Sequence, residues 1–262
     1  MGEGRISYAA AGGIATLTLD QPDRLNAMTL AMWRALPDAV ARAVNDPDVR
    51  VLVLTGAGDL AFCAGADISQ FGTARTGEEA ITAYDAAVAA GSDAVLQADK
   101  PTVAAIRGIC FGGGLALAMA CDLRFAAAGS RFRLPAARLG LGYGFDGLRL
   151  LARRLGPSVA ADVVLSARII PSDEATGMGL VNQVWPADQF EARLSAYLAA
   201  IAANAPLTLR AMTRGLRELA RPEAEQDADA VDALVADCFD SEDYREGQAA
   251  FREKRDPVFR GR

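Results

Sequence analysis

Two short runs of small residues constrain this chain more than anything else in it: Phe62-Cys63-Ala64-Gly65-Ala66-Asp67-Ile68 and Gly108-Ile109-Cys110-Phe111-Gly112-Gly113-Gly114. Each follows an apolar run, Val51 to Leu54 and Thr102 to Ile106, that reads as a buried strand, and the second leads into a helix-length segment. Glycine and alanine where a strand ends let a ligand approach the backbone and free main-chain N–H groups to bind it. Two such corners facing one point can hold a single oxyanion between two N–H donors, which is the apparatus of thioester chemistry.

The rest of the chain frames these corners. Ile14 to Leu19 alternates apolar residues and threonines, as a half-buried strand does. Thr29 stands as the N-cap of a helix from Leu30 to Val44 with Met32, Leu36, Ala39, Val40 and Ala43 on one face. Thr73 to Gly77 is polar and irregular, and Glu78 to Ala98 reads as a helix. After the second corner come a helix from Leu115 to Ala120 and a strand from Asp122 to Ala126. Strands alternating with helices predict an α/β fold. From Asp188 onward the pattern is helical, in segments 188–203, 207–220, 223–239 and 241–254. Their apolar stripes require a partner surface, either the chain's own core or another subunit.

Composition removes whole classes of function. The 262 residues contain no histidine, which excludes His-dependent triads and His-based general bases and leaves few ways to build a transition-metal site. No metal centre is expected. A net charge of −6 argues against a nucleic-acid or anionic-membrane surface. Cys63, Cys110, Cys121 and Cys238 form no CxxC pair and read as buried thiols of a reducing compartment. Met1-Gly2-Glu3-Gly4-Arg5 carries no charged-then-apolar signal, and Gly108 to Cys121 is too short to span a bilayer. The expectation is a soluble, cytoplasmic protein.

With Pro22-Asp23-Arg24-Leu25-Asn26-Ala27, the two corners, Ser172-Asp173-Glu174-Ala175 with Gly179-Leu180-Val181-Asn182, and Phe251-Arg252-Glu253-Lys254-Arg255 in this order, the chain resembles the crotonase (enoyl-CoA hydratase/isomerase) superfamily. The resemblance covers nearly the whole chain. It implies a spiral of ββα units over residues 1–195 that carries the acyl-CoA site. It also implies a C-terminal helical region, residues 196–262, used for assembly into a trimer or a dimer of trimers. Coenzyme A enters as part of the thioester substrate, with no separate cofactor.

Carried over position by position, the resemblance places the oxyanion donors on the main-chain N–H groups of Ala66 and Gly113. It implies that Ala64, Ala66, Asp67 and Ile68 shape the adenine and thioester site, Asp67 chiefly as a cap. Arg24 falls where the family often has a cation near the CoA phosphates, and Lys254 and Arg255 fall where the last helix reaches a neighbour's ligand. One departure matters. The two catalytic glutamates of a hydratase fall on Ala116 and Ala136. Hydration needs one group to activate water and one to deliver a proton, and alanine does neither.

Asp146, in Gly140-Leu141-Gly142-Tyr143-Gly144-Phe145-Asp146-Gly147, is the acidic residue of a stretch from which isomerase and dehalogenase members draw a carboxylate, though theirs aligns nearer Gly144. Burial beside an acyl chain would raise its pKa as a proton shuttle needs. Tyr143 could donate a hydrogen bond there. The readings left open are isomerase, hydrolase or decarboxylase with a relocated acid, and a non-catalytic acyl-CoA binder that keeps the corners alone. A third, a nicotinamide oxidoreductase, rests on Gly142-x-Gly144-x-x-Gly147, which matches GxGxxG but lacks a good preceding strand.

Overall fold

The computed structural model describes residues 4–67 and 77–262, the Glu78 side chain excepted. Ile68 and most of the Thr73–Gly77 stretch lie outside the described residues.

Strands β1 (Arg5–Ala11) and β2 (Ile14–Asp20) form an antiparallel hairpin that starts a six-stranded sheet. Helix α1 (Leu30–Asn45) follows, with the Thr29 hydroxyl accepting the Met32 N–H as the expected cap. Next come β3 (Val51–Gly56), β4 (Ala61–Cys63) and α2 (Glu78–Leu96). The unit recurs as β5 (Thr102–Ile106), β6 (Ile109–Phe111) and α3 (Gly113–Ala120). It recurs again as β7 (Leu123–Ala127), β8 (Arg131–Arg133) and α4 (Phe145–Leu155). The first strand of each unit joins the large sheet, ordered β1-β2-β3-β5-β7-β10, and the second joins a small sheet, ordered β4-β6-β8-β9. Parallel pairing of β3 with β5, β5 with β7, β4 with β6 and β6 with β8 coils the chain into the ββα spiral that the resemblance implied.

After α4 come α5 (Pro157–Ala161), β9 (Ile170–Pro171), α6 (Ser172–Ala175), β10 (Gln183–Trp185) and α7 (Phe190–Ala202). The alternation of side chains along a strand gives the large sheet two buried faces. Leu52, Leu54, Ala104, Ile106 and Ala126 face the main core with Phe62, Cys110 and Phe132 of the small sheet. Val51, Val53, Val103, Ala105, Phe125 and Ala127 face α7, whose Phe190, Leu194, Leu198 and Ala202 cover them. Phe125 stacks on Trp185 at 4.7 Å. Helix α7 therefore straddles the expected boundary at residue 195, with Leu198 and Ala202 beyond it packed on the sheet.

Three helices complete the chain: α8 (Pro206–Leu219), α9 (Ala228–Asp240) and α10 (Glu242–Glu253). The expected helix over 223–239 is broken. A 3₁₀ turn, Glu223–Glu225, precedes Asp227, whose carboxylate caps α9 by accepting the Ala230 N–H. Among the described residues, no helix is long and apolar enough to cross a membrane.

Candidate active site

Among the described residues of the first corner, one N–H group has no acceptor. Strand β4 is wholly buried and delivers the chain to Gly65, which turns at φ +108°, a conformation open to glycine. The Ala64 N–H donates to the Leu25 carbonyl at 2.9 Å, and the Asp67 N–H to the Met28 carbonyl at 3.0 Å. The Gly65 N–H donates to Cys63 Sγ at 3.4 Å. Among the described residues, the Ala66 N–H has no such partner, although Ala66 lies beside Met28 in a parallel bridge.

The second corner emerges alongside. Strand β6 pairs in parallel with β4, Ala61 opposite Ile109 and Cys63 opposite Cys110, so both chains turn at the same edge of the small sheet. The Gly112 N–H donates to the Arg133 carbonyl at 2.8 Å, and α3 begins at Gly113. A helix's first N–H groups have no acceptor within the helix, and its N-terminus carries partial positive charge. Gly114 brings that turn hard against β4: a Cβ there would stand 2.5 Å from the Cys63 carbonyl oxygen, so no side chain fits. The result is a close meeting of two backbones. A Cβ on Gly65 would stand 3.6 Å from the Gly113 nitrogen, and one on Gly113 would stand 3.9 Å from the Ala66 nitrogen. The geometry gathers two N–H donors from different turns of the spiral.

Arg24, Ala64 and Asp67 gather beside Ala66. Arg24 ends a 3₁₀ turn, Pro22–Arg24, and its Nη1 lies 3.7 Å from Asp67 Oδ1. Asp67 is buried and also accepts from Gln21 Nε2 at 3.1 Å. Ala64 has its N–H committed to Leu25, which leaves its carbonyl for a ligand. Lys254 lies elsewhere. It closes α10 in the left-handed conformation, is exposed, and makes no ion pair among the described residues. Arg255 is occupied by Glu246 and Glu253 of its own helix region, and this contact pushes the Glu246 carboxyl down to about 2.

The positions that would hold acid and base border the second corner. Ala116 is one turn along α3 from Gly113 and shares its face. Ala136 is buried in a 3₁₀ turn, Ala136–Leu139, and the Cδ of the preceding Pro135 lies 3.8 Å from the Cβ position of Gly112. Asp146 does not have the burial expected of it. It sits in the first turn of α4, its side chain 92% exposed, with Arg149 Nη1 3.5 Å from its carboxylate. A carboxylate there is stabilised by the helix N-terminus rather than by an acyl pocket. Tyr143 is largely buried, which pushes its hydroxyl up to about 12.

One further carboxylate, singled out by no sequence pattern, is perturbed. Asp93, an exposed residue of α2, has its carboxyl raised from its ordinary value, first by partial desolvation and second by the charge of Asp146. Nothing in the sequence pairs these two residues, because only the fold brings α2 and α4 together. The thiols of Cys63 and Cys110 are fully buried, and burial pushes Cys63 up to about 12, which makes both poor nucleophiles.

Gly142 to Gly147 does not form a dinucleotide corner. The segment follows a 3₁₀ turn rather than a strand, and enters α4. Among the described residues, no group of three or more Cys, Asp or Glu side chains gathers where a metal ion could sit.

Residues 9–262 match the family model described as enoyl-CoA hydratase/isomerase. Among solved structures, the chain is similar to an enoyl-CoA hydratase/carnithine racemase from Magnetospirillum magneticum, with 38% identity and a TM-score of 0.91 over 98% of this chain and 96% of that one. It is also similar to an enoyl-CoA hydratase from Bacillus anthracis, with 29% identity and a TM-score of 0.88 over 98% and 100%. Among characterised relatives, a crotonyl-CoA hydratase of Syntrophomonas wolfei is 34% identical over 94% of each chain. A carnitinyl-CoA dehydratase of Salmonella enteritidis is 32% identical over 96% of each.

Proposed function

Because the chain belongs to the enoyl-CoA hydratase/isomerase family, we propose that it acts on an acyl-CoA thioester whose carbonyl oxygen lies between the N–H groups of Ala66 and Gly113. The observation that carries this reading is the pair of N–H donors on facing backbones, unpartnered among the described residues, one of them at a helix N-terminus. Such donors polarise the carbonyl, and they stabilise the enolate whose charge gathers on that oxygen when a bond to the adjacent carbon breaks. CoA is held as part of the substrate. Arg24, positioned by Asp67, and Lys254, from a neighbouring subunit, supply cations for its phosphates, while Ala64 borders the adenine and thioester.

The reaction is not efficient hydration. The relatives are named hydratase and dehydratase, but this chain has methyl groups at both positions where the resemblance puts hydratase glutamates, Ala116 and Ala136. Isomerisation and decarboxylation through an enolate need fewer proton-transfer groups in place, and hydrolysis would use the same donors for a tetrahedral oxyanion, with water attacking the carbonyl carbon and the CoA thiolate leaving. Asp146 is the carboxylate of that segment and takes the role of proton carrier in this reading. Its exposure in the single chain favours a second reading, an acyl-CoA binder without turnover. Incubation with a panel of acyl-CoAs, with products read by mass spectrometry, separates the two. Conversion of any thioester supports the enzyme; tight binding with no product supports the binder.

The assembly proposed is a homotrimer or dimer of trimers. On α8, Met212, Leu216 and Leu219 form an exposed apolar stripe at helical spacing, with Phe239 and Phe251 exposed on the following helices. Sedimentation as a monomer at micromolar concentration would overturn it and remove Lys254 from a neighbour's site.

A further inference from the structure

Trp33 carries a buried polar group with no structural use. The residue is 1% exposed, and its indole Nε1 has no hydrogen-bond partner among the described residues. The chain's other tryptophan is different: Trp185 Nε1 donates to Gln183 Oε1 at 2.8 Å. A buried N–H without an acceptor is costly, so one that persists points to a partner that arrives with a ligand.

Its placement says which ligand. Cζ2 and Cη2 of Trp33 lie 3.2 and 3.8 Å from the Cβ position of Gly113, while Cε3, on the opposite edge of the ring, lies 3.0 Å from that of Gly91 on α2. In an indole, Cζ2–H and Nε1–H lie on the same edge. Cζ2, two bonds from Nε1, is thus the ring atom nearest the start of α3, where Gly113 and Ala116 share a face. The ring is held there by backbone. Pro37 has no N–H to give the Trp33 carbonyl four residues earlier, and that carbonyl lies 3.2 Å from the Cβ position of Gly91.

We propose that the Trp33 indole N–H is a specificity-determining donor for an acceptor oxygen on the acyl group close to the thioester, as in a 3-oxoacyl-CoA. The inference rests on the acyl-CoA reading above. The thioester oxygen has two lone pairs, matched by the N–H groups of Ala66 and Gly113, so a further donor at this edge serves the next oxygen of the acyl group. Indole is donor-only, so that group must accept. Alanine at position 116 leaves the oxygen free of a facing carboxylate.

The test compares calorimetric affinities for acetoacetyl-CoA and butyryl-CoA in the wild type and in Trp33→Phe. The variant is expected to bind acetoacetyl-CoA about 3- to 10-fold more weakly and butyryl-CoA within about twofold of wild type, the range of one neutral hydrogen bond. Equal losses for both ligands, or no loss for either, would overturn the donor role. Failure of the wild type to bind either ligand would overturn the acyl-CoA reading itself. Should Trp33→Phe not fold, the indole N–H resonance of the native ring decides, assigned with Trp185→Phe. Acetoacetyl-CoA must move it downfield and butyryl-CoA must not; a resonance indifferent to both overturns the proposal.

Discussion

The backbone nitrogen of Ala66 lies 3.9 Å from the point where a Cβ on Gly113 would stand. Two donors meet this closely because β4 and β6 run parallel and in register, and each turns at its end into a small-residue corner. Gly113 is the first residue of α3, a position where proline is tolerated because its N–H is unused by the helix. Gly113→Pro keeps the helix start while its Cβ presses on the Trp33 ring at 3.2 Å, and the folded variant should lose one donor and turn over its thioester about 10²- to 10³-fold more slowly. Circular dichroism checks the fold and steady-state kinetics the loss. Parental turnover in a folded variant contradicts the assignment.

Crotonyl-CoA is expected to be hydrated orders of magnitude more slowly than by a two-glutamate relative, since each general acid or base contributes about 10²- to 10⁴-fold. Ala116 is on an accessible helix face beside Gly113, and Ala136 borders the same corner. The double variant Ala116→Glu, Ala136→Glu should raise hydration, measured by loss of enoyl absorbance. Rapid hydration by the unmodified chain contradicts the reading of these positions.

Asp146→Asn should leave stability almost unchanged, because the side chain is 92% exposed and, among the described residues, its one ion pair is with Arg149 at 3.5 Å. Turnover should fall at least about 10²-fold with the proton carrier gone. The same substitution removes a negative charge from the vicinity of Asp93, so the raised Asp93 carboxyl pKa should move down toward the ordinary range. A carbon-13 titration of Asp93 reads this directly. Unchanged turnover reduces Asp146 to a helix-start residue.

The buried thiols set an alkaline limit on stability. Cys63 and Cys121 are each raised from 9.0 to about 12, chiefly by burial. Above pH 9 the unfolded chain loses these protons while the native state keeps them, so stability is full below that pH and falls on the way to about 12. Thermal melts from pH 8 upward should show the decline, with a shallower slope in Cys63→Ala. An identical slope in the variant removes Cys63 as a source.

What the sequence made legible was whatever local pattern dictates. Val51 to Leu54 and Thr102 to Ile106 are apolar runs that only a buried strand accommodates, and Thr29 is a cap by its chemistry. The small sheet was not legible: β8 is Arg131–Arg133, too short to show a period and with arginine at two of its three positions. The break before α9 depended on Asp227 capping rather than continuing a helix, which propensity alone does not separate. In the site, the two corners stood out because glycine has few other reasons to cluster. Trp33 did not, since an aromatic residue in an apolar helix stripe reads as core until its unpartnered N–H and its neighbour Gly113 are known. Asp93 was hidden for a related reason: Asp146, whose charge acts on its carboxyl, is distant in sequence.

Isotope-edited infrared spectroscopy of a bound acyl-CoA, labelled with carbon-13 at the thioester carbonyl, tests the central claim most directly. Held between the N–H groups of Ala66 and Gly113, the carbonyl should absorb at lower wavenumber than in solution, and Gly113→Pro should move the band back toward the free value. A bound thioester whose band stays at its solution position, or shifts equally in Gly113→Pro, would contradict the account.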